Sequence, residues 1–287
     1  MNRLKTILLL LFLILLVLVS CTSPKPDLTT PATPSPTPAL NVLTIHFIDV
    51  GQGDSILIDL DDIEILIDGG EKNTGVADYI HPYIDGALEA MVATHPHADH
   101  IGGLLEVLQK YDVKDIWLNG DTYSTKTYTD FMNLVNAENA TIHEAERGQA
   151  MQVGTLNFNI LNPIKPLGKD TNNNSIVLSL SYGDMDFLFE GDAQREAESS
   201  MINLVSDIEI LKVGHHGSRT SSSPEFLNRI KPDVAIYSCR VGNSYGHPHE
   251  ETIDALNKVG AKVYGTDTSG TIRITTEGKT YSVQTTK

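Results

Sequence analysis

The segment from Thr94 to His100 constrains this chain more than any other, because it places three histidines and one aspartate within six residues. The four residues before Thr94 are apolar and predict a buried strand, whereas the apolar residues from Ile101 to Leu108 have helical spacing. The polar side chains therefore lie on a loop between a strand and a helix, where a rigid scaffold aims several groups at one point. Neutral imidazole and carboxylate are ligands for Zn, and also for Mn or Fe. The segment predicts a metal site, and a solvated histidine-rich turn is the alternative.

The order of donors within this segment predicts two metal positions. His95 and His97 are two residues apart, so both point the same way on an extended segment. Asp99 and His100 fall at the entrance of the following helix, where they are placed to serve a second metal.

Further donors stand later in the chain. Asp192 follows an apolar run and Gly191, so its carboxylate is placed at a strand end. There it can bridge two metals, and capping of the next helix is the alternative. His215 and His216 are adjacent at the end of another strand, where neighbouring side chains ordinarily face opposite ways. We expect a bend at the flanking glycines, Gly214 and Gly217, to bring both rings near the site.

The HxHxDH spacing resembles the motif of the metallo-β-lactamase superfamily, and further motifs resemble the extracellular hydrolase domain of the competence protein ComEC. The similarity covers roughly residues 42 to 287. It rests on Phe47–Ser55, Ile65–Gly70, Phe189–Ala193, Leu211–Ser218 and Tyr245–His249. It implies an α/β fold, the four-layer αββα sandwich of the metallo-β-lactamase type.

The resemblance also implies how the donors are divided between two divalent metal ions, Zn or Mn. One ion takes His95, His97 and Asp192, and the other takes Asp99, His100, Asp192 and His216. Asp68 would accept a hydrogen bond from a ligand imidazole and so fix its tautomer. Its alternative role is that of a turn residue before two glycines. Phosphorylcholine esterases with a similar HHGS element suggest that His216 is the ligand and that His215 faces the scissile phosphate.

The sequence departs from most of the superfamily at the first metal. Members usually add a further histidine between the HxHxDH motif and the bridging aspartate, and here His143 is the only histidine between His100 and His215. It lies in a polar stretch and is interpreted as a surface histidine. ComEC-like proteins carry an asparagine-rich element instead, so we expect Asn172 of the run 172–174 to approach the first metal or its water. A plain loop is the alternative. The missing imidazole favours Mn as well as Zn and argues against a β-lactamase.

Candidates for substrate binding lie near these motifs in sequence. Ser218 offers a hydroxyl donor, and His247 and His249 flank a proline at a helix entrance. Three cations are also candidates for holding phosphate oxygens, with a solvated loop as the alternative for each: Lys212, Arg219 and Arg240.

The first 41 residues have the composition of an export signal and a linker. Arg3 and Lys5 precede a short apolar run from Ile7 to Val19, and residues 18–21 resemble a bacterial lipobox. Such a run is too short to cross a bilayer as a mature helix. We therefore expect a lipoprotein signal peptide over residues 1–20 and lipidation of Cys21. A Pro/Thr-rich linker then spans residues 21–41, and a metallo-β-lactamase-like hydrolase domain spans 42–287. The expected location is extracytoplasmic, anchored to the bacterial cell membrane. An ordinary signal peptide or a short anchor helix is the alternative.

Charge narrows the range of partners. The whole chain has a formal net charge of −16, and loss of the predicted leader removes basic residues only. A domain with this excess of acidic residues repels polyanions at long range and lacks the basic surface of a tight nucleic-acid binder. Only Cys21 and Cys239 occur, so no disulfide framework is expected, and Cys239 after an apolar run is interpreted as a buried thiol. The charge favours small or transiently held substrates without excluding DNA.

The pattern of apolar residues predicts strands grouped with helices at intervals, which fits the four-layer sandwich. Strands are expected at 42–48, 55–60, 63–67, 90–93, 113–118, 156–161, 176–181, 187–190, 208–213, 234–238, 262–264, 271–275 and 281–283. Helices are expected at 76–83, 101–108, 127–135, 194–204, after Ser223, and at 248–259.

Three functions remain open at this stage. The first is a membrane-anchored extracytoplasmic dinuclear metallohydrolase of phosphodiester bonds, either nuclease-like or phosphorylcholine-esterase-like, with DNA as one possible substrate. The second is a lactone, ester or amide hydrolase on the same fold. The third is a non-catalytic lipoprotein that binds metal.

Overall fold

The computed structural model describes residues 40–287. The predicted signal peptide, Cys21 and nearly all of the predicted linker lie outside the described residues. Within residues 40–287, no helix is long and apolar enough to cross a membrane.

Eight strands form the first sheet, in the order β15-β14-β1-β2-β3-β4-β5-β6. Strands β3 to β6 run parallel to one another, whereas β15, β14, β1, β2 and β3 pair antiparallel. The strands are β1 (Leu43–Phe47), β2 (Ile56–Leu60), β3 (Ile63–Ile67), β4 (Leu88–Ala93), β5 (Val113–Leu118), β6 (Thr141–Glu144), β14 (Ile272–Thr276) and β15 (Tyr281–Thr285).

Seven strands form the second sheet, in the order β13-β12-β11-β10-β9-β8-β7. The segment β10 to β13 is parallel, and β7 to β10 is antiparallel. The strands are β7 (Ala150–Val153), β8 (Leu156–Asn162), β9 (Val177–Tyr182), β10 (Met185–Phe189), β11 (Ile210–Lys212), β12 (Val234–Tyr237) and β13 (Lys262–Gly265).

The helices of residues 40–287 are short and follow strands along the chain. They are α1 (Val76–Ile80), α2 (Ala98–Ile101), α3 (Leu104–Lys110), α4 (Lys126–Ala137), α5 (Arg195–Met201), α6 (Pro224–Ile230), α7 (Glu250–Lys258) and α8 (Thr266–Ser269). Two 3₁₀ turns, Asn172–Asn174 and Gly214–Gly217, complete the set.

Three separate apolar clusters show how these elements are layered. The central cluster joins residues of both sheets, such as Phe47 of β1 and Phe189 of β10. A second cluster joins the first sheet to helices α1 to α4, and includes Leu104 and Phe131. The third joins the second sheet to α5, α6 and α7. Three apolar interfaces require four layers, which confirms the predicted αββα sandwich.

The structure corrects the predicted elements in three places. The edge strands β6 and β7 were missed because they are short and their burial is slight or alternating. The predicted helix after His100 is two helices, and Gly102 and Gly103 between them pack against backbone atoms of residues 69–72, where a side chain would not fit. Helix α8 was not predicted either, and His46 is buried against Tyr79 and Tyr83 because helix α1 covers that face of β1.

Candidate metal centre

The candidate donors come together where parallel strands of the two sheets end. Strands β3 and β4 of the first sheet lead to Asp68 and His95, and β10 and β11 of the second sheet lead to Asp192 and the His215–His216 pair. Ligand sites of open α/β sheets lie beyond the carboxyl ends of such strands. The loops therefore meet at one edge of the sandwich.

The deeper donor group is formed by His100, His216 and Asp192. The Nε2 atoms of both imidazoles lie 3.3 Å from Asp192 Oδ1. All three atoms are buried and have no hydrogen-bond partner. His216 Nε2 also lies 3.4 Å from Asp99 Oδ2. Buried polar atoms left unpaired are costly, so this convergence is what a cation site requires.

Asp68 holds His100 in the orientation that frees Nε2. Its Oδ2 lies 2.8 Å from His100 Nδ1, and its two oxygens also accept hydrogen bonds from the backbone N–H and the hydroxyl of Thr94. Asp68 itself has a left-handed φ of 58°. The structure thus places Asp68 against a candidate ligand imidazole, as the resemblance implies.

His216 is held from behind in the same way. Its Nδ1 lies 3.0 Å from the carbonyl oxygen of Ser238 and 3.3 Å from Asp54 Oδ1. Asp54 Oδ2 in turn accepts from Lys212 Nζ at 2.6 Å, and the Lys212 side chain is fully buried. Lys212 is therefore not available to hold phosphate oxygens, which corrects that prediction. Asp54 lies in the Phe47–Ser55 motif but was not predicted as a site residue, and its partner Lys212 comes from a strand of the other sheet.

The second donor group is His95, His97 and Asp192. His95 Nε2 lies 3.6 Å from Asp192 Oδ2 and 2.9 Å from His97 Nδ1. The donor atoms of these three residues lie close enough together to hold one cation. Asp192 belongs to this group and also to the deeper one. The two oxygens of Asp192 thus face different groups.

The paired histidines reach the site through an unusual backbone turn. His215 and His216 both adopt left-handed angles, with φ of 48° and 55°. Such a conformation costs of order 1 kcal/mol or more for each non-glycine residue, so surrounding contacts must hold it. Glu190 Oε2 accepts from the N–H of Gly214, and the N–H of His215 donates to the carbonyl of Gly191. The bend thus lies at the histidines themselves, and the expectation of a bend at the glycines alone was incomplete.

The turn separates the surroundings of the two imidazoles. His216 is buried among fixed partners, whereas His215 faces the open side of the site. His215 Nε2 lies 3.8 Å from Asp192 Oδ2 and 3.3 Å from Asn172 Nδ2, and its Nδ1 lies 3.0 Å from the hydroxyl oxygen of Thr220. Thr220 is a residue that the sequence reasoning missed.

The three asparagines of the run 172–174 make different contacts. Asn172 borders the cavity beside His215, and its Oδ1 is buried without a partner. Its approach to the first metal or its water stays a prediction. Asn173 Oδ1 accepts from the backbone N–H of Gln194 at the start of α5. Asn174 donates to Asp121 and to the carbonyl of Gly168. The last two therefore stabilise loops, and the run is more than a plain loop.

Two of the predicted substrate-binding residues are corrected by the structure. Ser218 is buried, and its Oγ accepts hydrogen bonds from the N–H and hydroxyl of Thr220, so it stabilises the turn. His249 lies at the start of α7, where its Nδ1 accepts a hydrogen bond from the backbone N–H of Arg219. It does not border the cavity. His247 does border it, and its ring lies 5.5 Å from that of His215.

The remaining sequence candidates lie away from the donor groups. His143 is on the edge strand β6, where it stacks on Trp117 at 4.3 Å and pairs with Asp115. Arg219 forms an exposed ion pair with Glu251. Arg240 is exposed and does not border the cavity. Cys239 is buried, as expected.

The candidate ligands have strongly shifted pKa values. Burial alone lowers the pKa of His100 and of His216, but the Asp192 carboxylate outweighs it and holds both well above their usual value. Burial and the nearby His100 hold the pKa of His95 well below its usual range. Burial likewise lowers the pKa of His215, and it lowers that of His247 to about 4. The imidazoles of His95, His215 and His247 are therefore neutral at pH 7.

An open cavity of about 450 Å³ lies over these groups. Its wall includes one further buried amide, Gln52, and two tyrosines that the sequence reasoning did not select. The residues that border it are Gln52, Glu71, His97, Ala98, Asp99, Tyr123, Thr125, Asn172, Asp192, His215, His216, Tyr245 and His247. The cavity gives a small substrate direct access to both donor groups.

Fold and donor set together define a class, the metal-dependent hydrolases built on the αββα sandwich. Residues 48–240 match the family model described as Metallo-beta-lactamase superfamily. The chain belongs to this superfamily.

Curated relatives place it near the competence proteins. The chain is 31% identical over 255 residues to ComE operon protein 3 of Bacillus subtilis, with 80% of this chain and 32% of the relative covered. It is 32% identical over 236 residues to Recombination protein 2 of Haemophilus influenzae, covering 80% and 28%. The ComEC-like resemblance is confirmed, and the chain spans about a third of the length of these relatives.

Solved structures share the fold at low sequence identity. The metallo-β-lactamase fold protein YhfI from Bacillus subtilis matches with a TM-score of 0.54 at 14% identity, covering 81% of this chain and 99% of that one. Tm1679, described as a metal-dependent hydrolase of the β-lactamase superfamily, matches with a TM-score of 0.54 at 15% identity, covering 78% and 95%.

Proposed function

We propose that this protein is a dinuclear metallohydrolase that cleaves phosphodiester bonds. The observation that carries the proposal is the position of Asp192 between two donor groups. Its Oδ1 faces His100 and His216, and its Oδ2 faces His95. A carboxylate in this position can bind one ion through each oxygen.

The donor set fits two divalent ions, Zn or Mn. Three residues would hold the first ion, His95, His97 and Asp192, and four would hold the second, Asp99, His100, Asp192 and His216. Imidazole and carboxylate suit both metals.

Asp54 lies within reach of the second group as well. Its oxygens are already occupied by Lys212 Nζ and by His216 Nδ1, whereas Asp99 borders the cavity and faces His216 Nε2. We therefore assign Asp99 as the ligand and Asp54 as the group that orients His216.

Two bound divalent ions supply an activated water near neutral pH and positive charge for the phosphoryl oxygens. The chain itself supplies His215, whose imidazole is neutral and faces the cavity. The Thr220 hydroxyl donates to Ser218 Oγ or, after rotation, to His215 Nδ1; in the second arrangement the proton of His215 is on Nε2 and is available to a phosphoryl or leaving-group oxygen. Asn172 can match either tautomer by rotation of its amide, and it keeps the ring in place.

Two observations support a phosphodiester as the substrate. The relative from Haemophilus influenzae is named for recombination, a process that acts on DNA. The open cavity would admit a phosphodiester group beside both donor groups and His215.

The test uses the detergent-solubilised full chain, stripped of metal and reloaded with Zn or Mn. Bis-p-nitrophenyl phosphate, single-stranded DNA, an aryl ester and a lactone are compared as substrates, and bound metal is counted. We expect close to two ions per chain and metal-dependent turnover of a phosphodiester. Turnover of the ester or lactone alone would instead indicate a carboxylic ester hydrolase. Metal binding without turnover would indicate a binding lipoprotein.

We also propose that the domain is held at the outer face of the cell membrane by lipidation of Cys21. The support is the lipobox-like sequence at residues 18–21. Two or more acyl chains give stable anchoring. Cys21→Ala should leave the protein unprocessed or release it from membranes, as followed by fractionation and mass spectrometry, with Cys239→Ala as the control. Normal processing and membrane partition of Cys21→Ala would overturn the proposal.

A further inference from the structure

Two exposed tyrosines border the cavity over the metal centre. Tyr123 is 38% exposed and Tyr245 is 63% exposed. The ring of Tyr123 meets that of His97 edge-on at 5.2 Å. The ring of Tyr245 stacks on His247 at 5.6 Å. Aromatic surface is thus presented to a ligand directly beside the candidate metal ligands.

Both tyrosines are on loops that internal hydrogen bonds hold in place. Asn243 Oδ1 accepts from the backbone N–H groups of Tyr245 and His247, and its Nδ2 donates to the carbonyls of Arg240 and His247. Ordered loops lose little conformational entropy when a ligand binds, so these rings are prepared for one.

The loop of Tyr123 is fixed from three sides through Asp121. The backbone N–H of Asp121 donates to Asn119, its carbonyl accepts from the Tyr128 hydroxyl, and its carboxylate accepts from Asn174. Tyr123 is therefore held next to His97 by its neighbours in the fold.

The charges around the cavity indicate which kind of ligand could bind to the aromatic faces. Among the described residues that border it, none is lysine or arginine. Asp99 and Asp192 are assigned to metal, which leaves Glu71 as the uncommitted charge. Glu71 is exposed, and it forms no ion pair within residues 40–287. A polynucleotide needs cations along its phosphates, whereas this rim offers a carboxylate and two aromatic rings.

We propose that Tyr123, Tyr245 and Glu71 form a subsite for a quaternary ammonium group on a zwitterionic phosphodiester. Aromatic faces attract quaternary ammonium ions through the ring quadrupole, and a carboxylate adds direct charge attraction. The phosphate of such a substrate lies at the metal centre while its cationic group lies at the rim. This inference rests on the proposed phosphodiesterase function and narrows its substrate class.

The experiment compares three chromogenic phosphodiesters on the metal-loaded full chain. They are p-nitrophenyl phosphorylcholine, ethyl p-nitrophenyl phosphate and thymidine 5′-(p-nitrophenyl phosphate). The same leaving group in all three isolates the effect of the other substituent. The wild type should turn over the choline ester with the highest kcat/KM, chiefly through a lower KM.

The variants assign that preference to the rim. Tyr123→Ala and Tyr245→Ala should each lower kcat/KM for the choline ester by roughly three- to tenfold and leave the ethyl ester within about twofold. Tyr245→Phe keeps the ring and should keep the preference. Glu71→Gln should also lower it for the choline ester alone, and the remote Glu225→Gln serves as the matched control.

The possible negative results distinguish failure of the subsite from failure of the proposed phosphodiesterase function. Equal kcat/KM for the choline and ethyl esters, or tyrosine variants that lose only the thymidine ester, would overturn the subsite and leave the phosphodiesterase function intact. If no phosphodiester is cleaved, binding of phosphorylcholine to the metal-loaded protein is measured by calorimetry. Binding that depends on Tyr245 would keep the subsite while the proposed function fails, and the absence of such binding would remove both.

Discussion

The two donor groups of the site differ in how the surrounding protein supports them. In the deeper group, Asp68 orients His100, and Ser238 with Asp54 orients His216. In the second donor group (His95, His97 and Asp192), which we call the open group, Thr94 Oγ1 lies 3.2 Å from His95 Nδ1. The nearest polar neighbour of His97 is His95 itself. The deeper group is thus anchored by carboxylates, and the open group is not.

This difference predicts unequal metal sites. Outer hydrogen bonds fix the tautomer and orientation of a ligand imidazole and raise its affinity for metal. The deeper position, with four donors and anchored imidazoles, should retain its ion when the open position, with three, exchanges. His97 of the open position and Asp99 and His216 of the deeper position all border the cavity, so both ions would be accessible to a substrate while differing in affinity.

The largest expected effect comes from removing what the two groups share. Asp192→Asn should weaken both positions together and lower turnover by on the order of 10³-fold or more, because the amide would offer two ions a single oxygen and no negative charge. Metal content and phosphodiester turnover are measured together, with Asp254→Asn on the exposed face of α7 as the control. One tightly held ion in both the wild type and Asp192→Asn would break the two-site description.

The paired histidines should lose activity for different reasons. His215→Ala should retain metal and lower kcat by about 10²–10³-fold, through loss of a hydrogen bond to the transition state. His216→Ala should lose metal from the deeper position. Excess metal in the assay should partly restore His216→Ala and leave His215→Ala unchanged. The opposite pattern of rescue would exchange the two roles.

A smaller effect should separate the deeper position from the open one. Asp68→Asn removes the carboxylate behind His100 and should weaken the tighter ion by about 10–100-fold. Competition with a chelator during metal titration resolves the two affinities. Thr94→Val, which alters the support of His95 but also one bond to Asp68, should affect the weaker ion more. Equal losses at both ions in Asp68→Asn would show that the groups are not independently supported.

The smallest effect concerns a buried carboxylate outside the site that no cation supports. Glu64 is fully buried on β3, and burial and then the nearby Glu89 raise its pKa to about 8. Since the folded value exceeds the unfolded one, its contribution to stability is complete below about pH 4.5 and is lost as pH rises toward 8. Glu64→Gln should therefore gain stability over the wild type by at least about 2 °C in melting temperature between pH 5 and pH 8. A gap that narrows with rising pH would contradict this sign.

Much of the fold and most of the donors could be predicted from short-range patterns. Short apolar runs located β1, β2 and β3, because strands that are covered on both faces are apolar along most of their length. The HxHxDH segment predicted its own geometry, since a strand end followed at once by a helix entrance leaves few directions for its side chains. His95, His97, Asp99 and His100 indeed lie together, and their roles as ligands stay predictions.

Contacts between distant segments were decided only by the tertiary structure. Lys212 was expected at the phosphate and is buried on Asp54, because the two sheets bring β11 against the loop after β1. Ser218 was expected to be accessible and lies inside the turn that Thr220 stabilises. Neither contact leaves a periodic trace in the sequence.

The sequence by itself determined which residue types converge, and the packing of the two sheets decided what each one does. His215 and His216 are chemically identical neighbours, so no local pattern distinguishes them. Their left-handed turn, held by Glu190 and Gly191, sends one ring into the interior against Ser238 and the other toward the cavity. Such strain persists only where contacts from other elements compensate for it, and those contacts exist only in the folded chain.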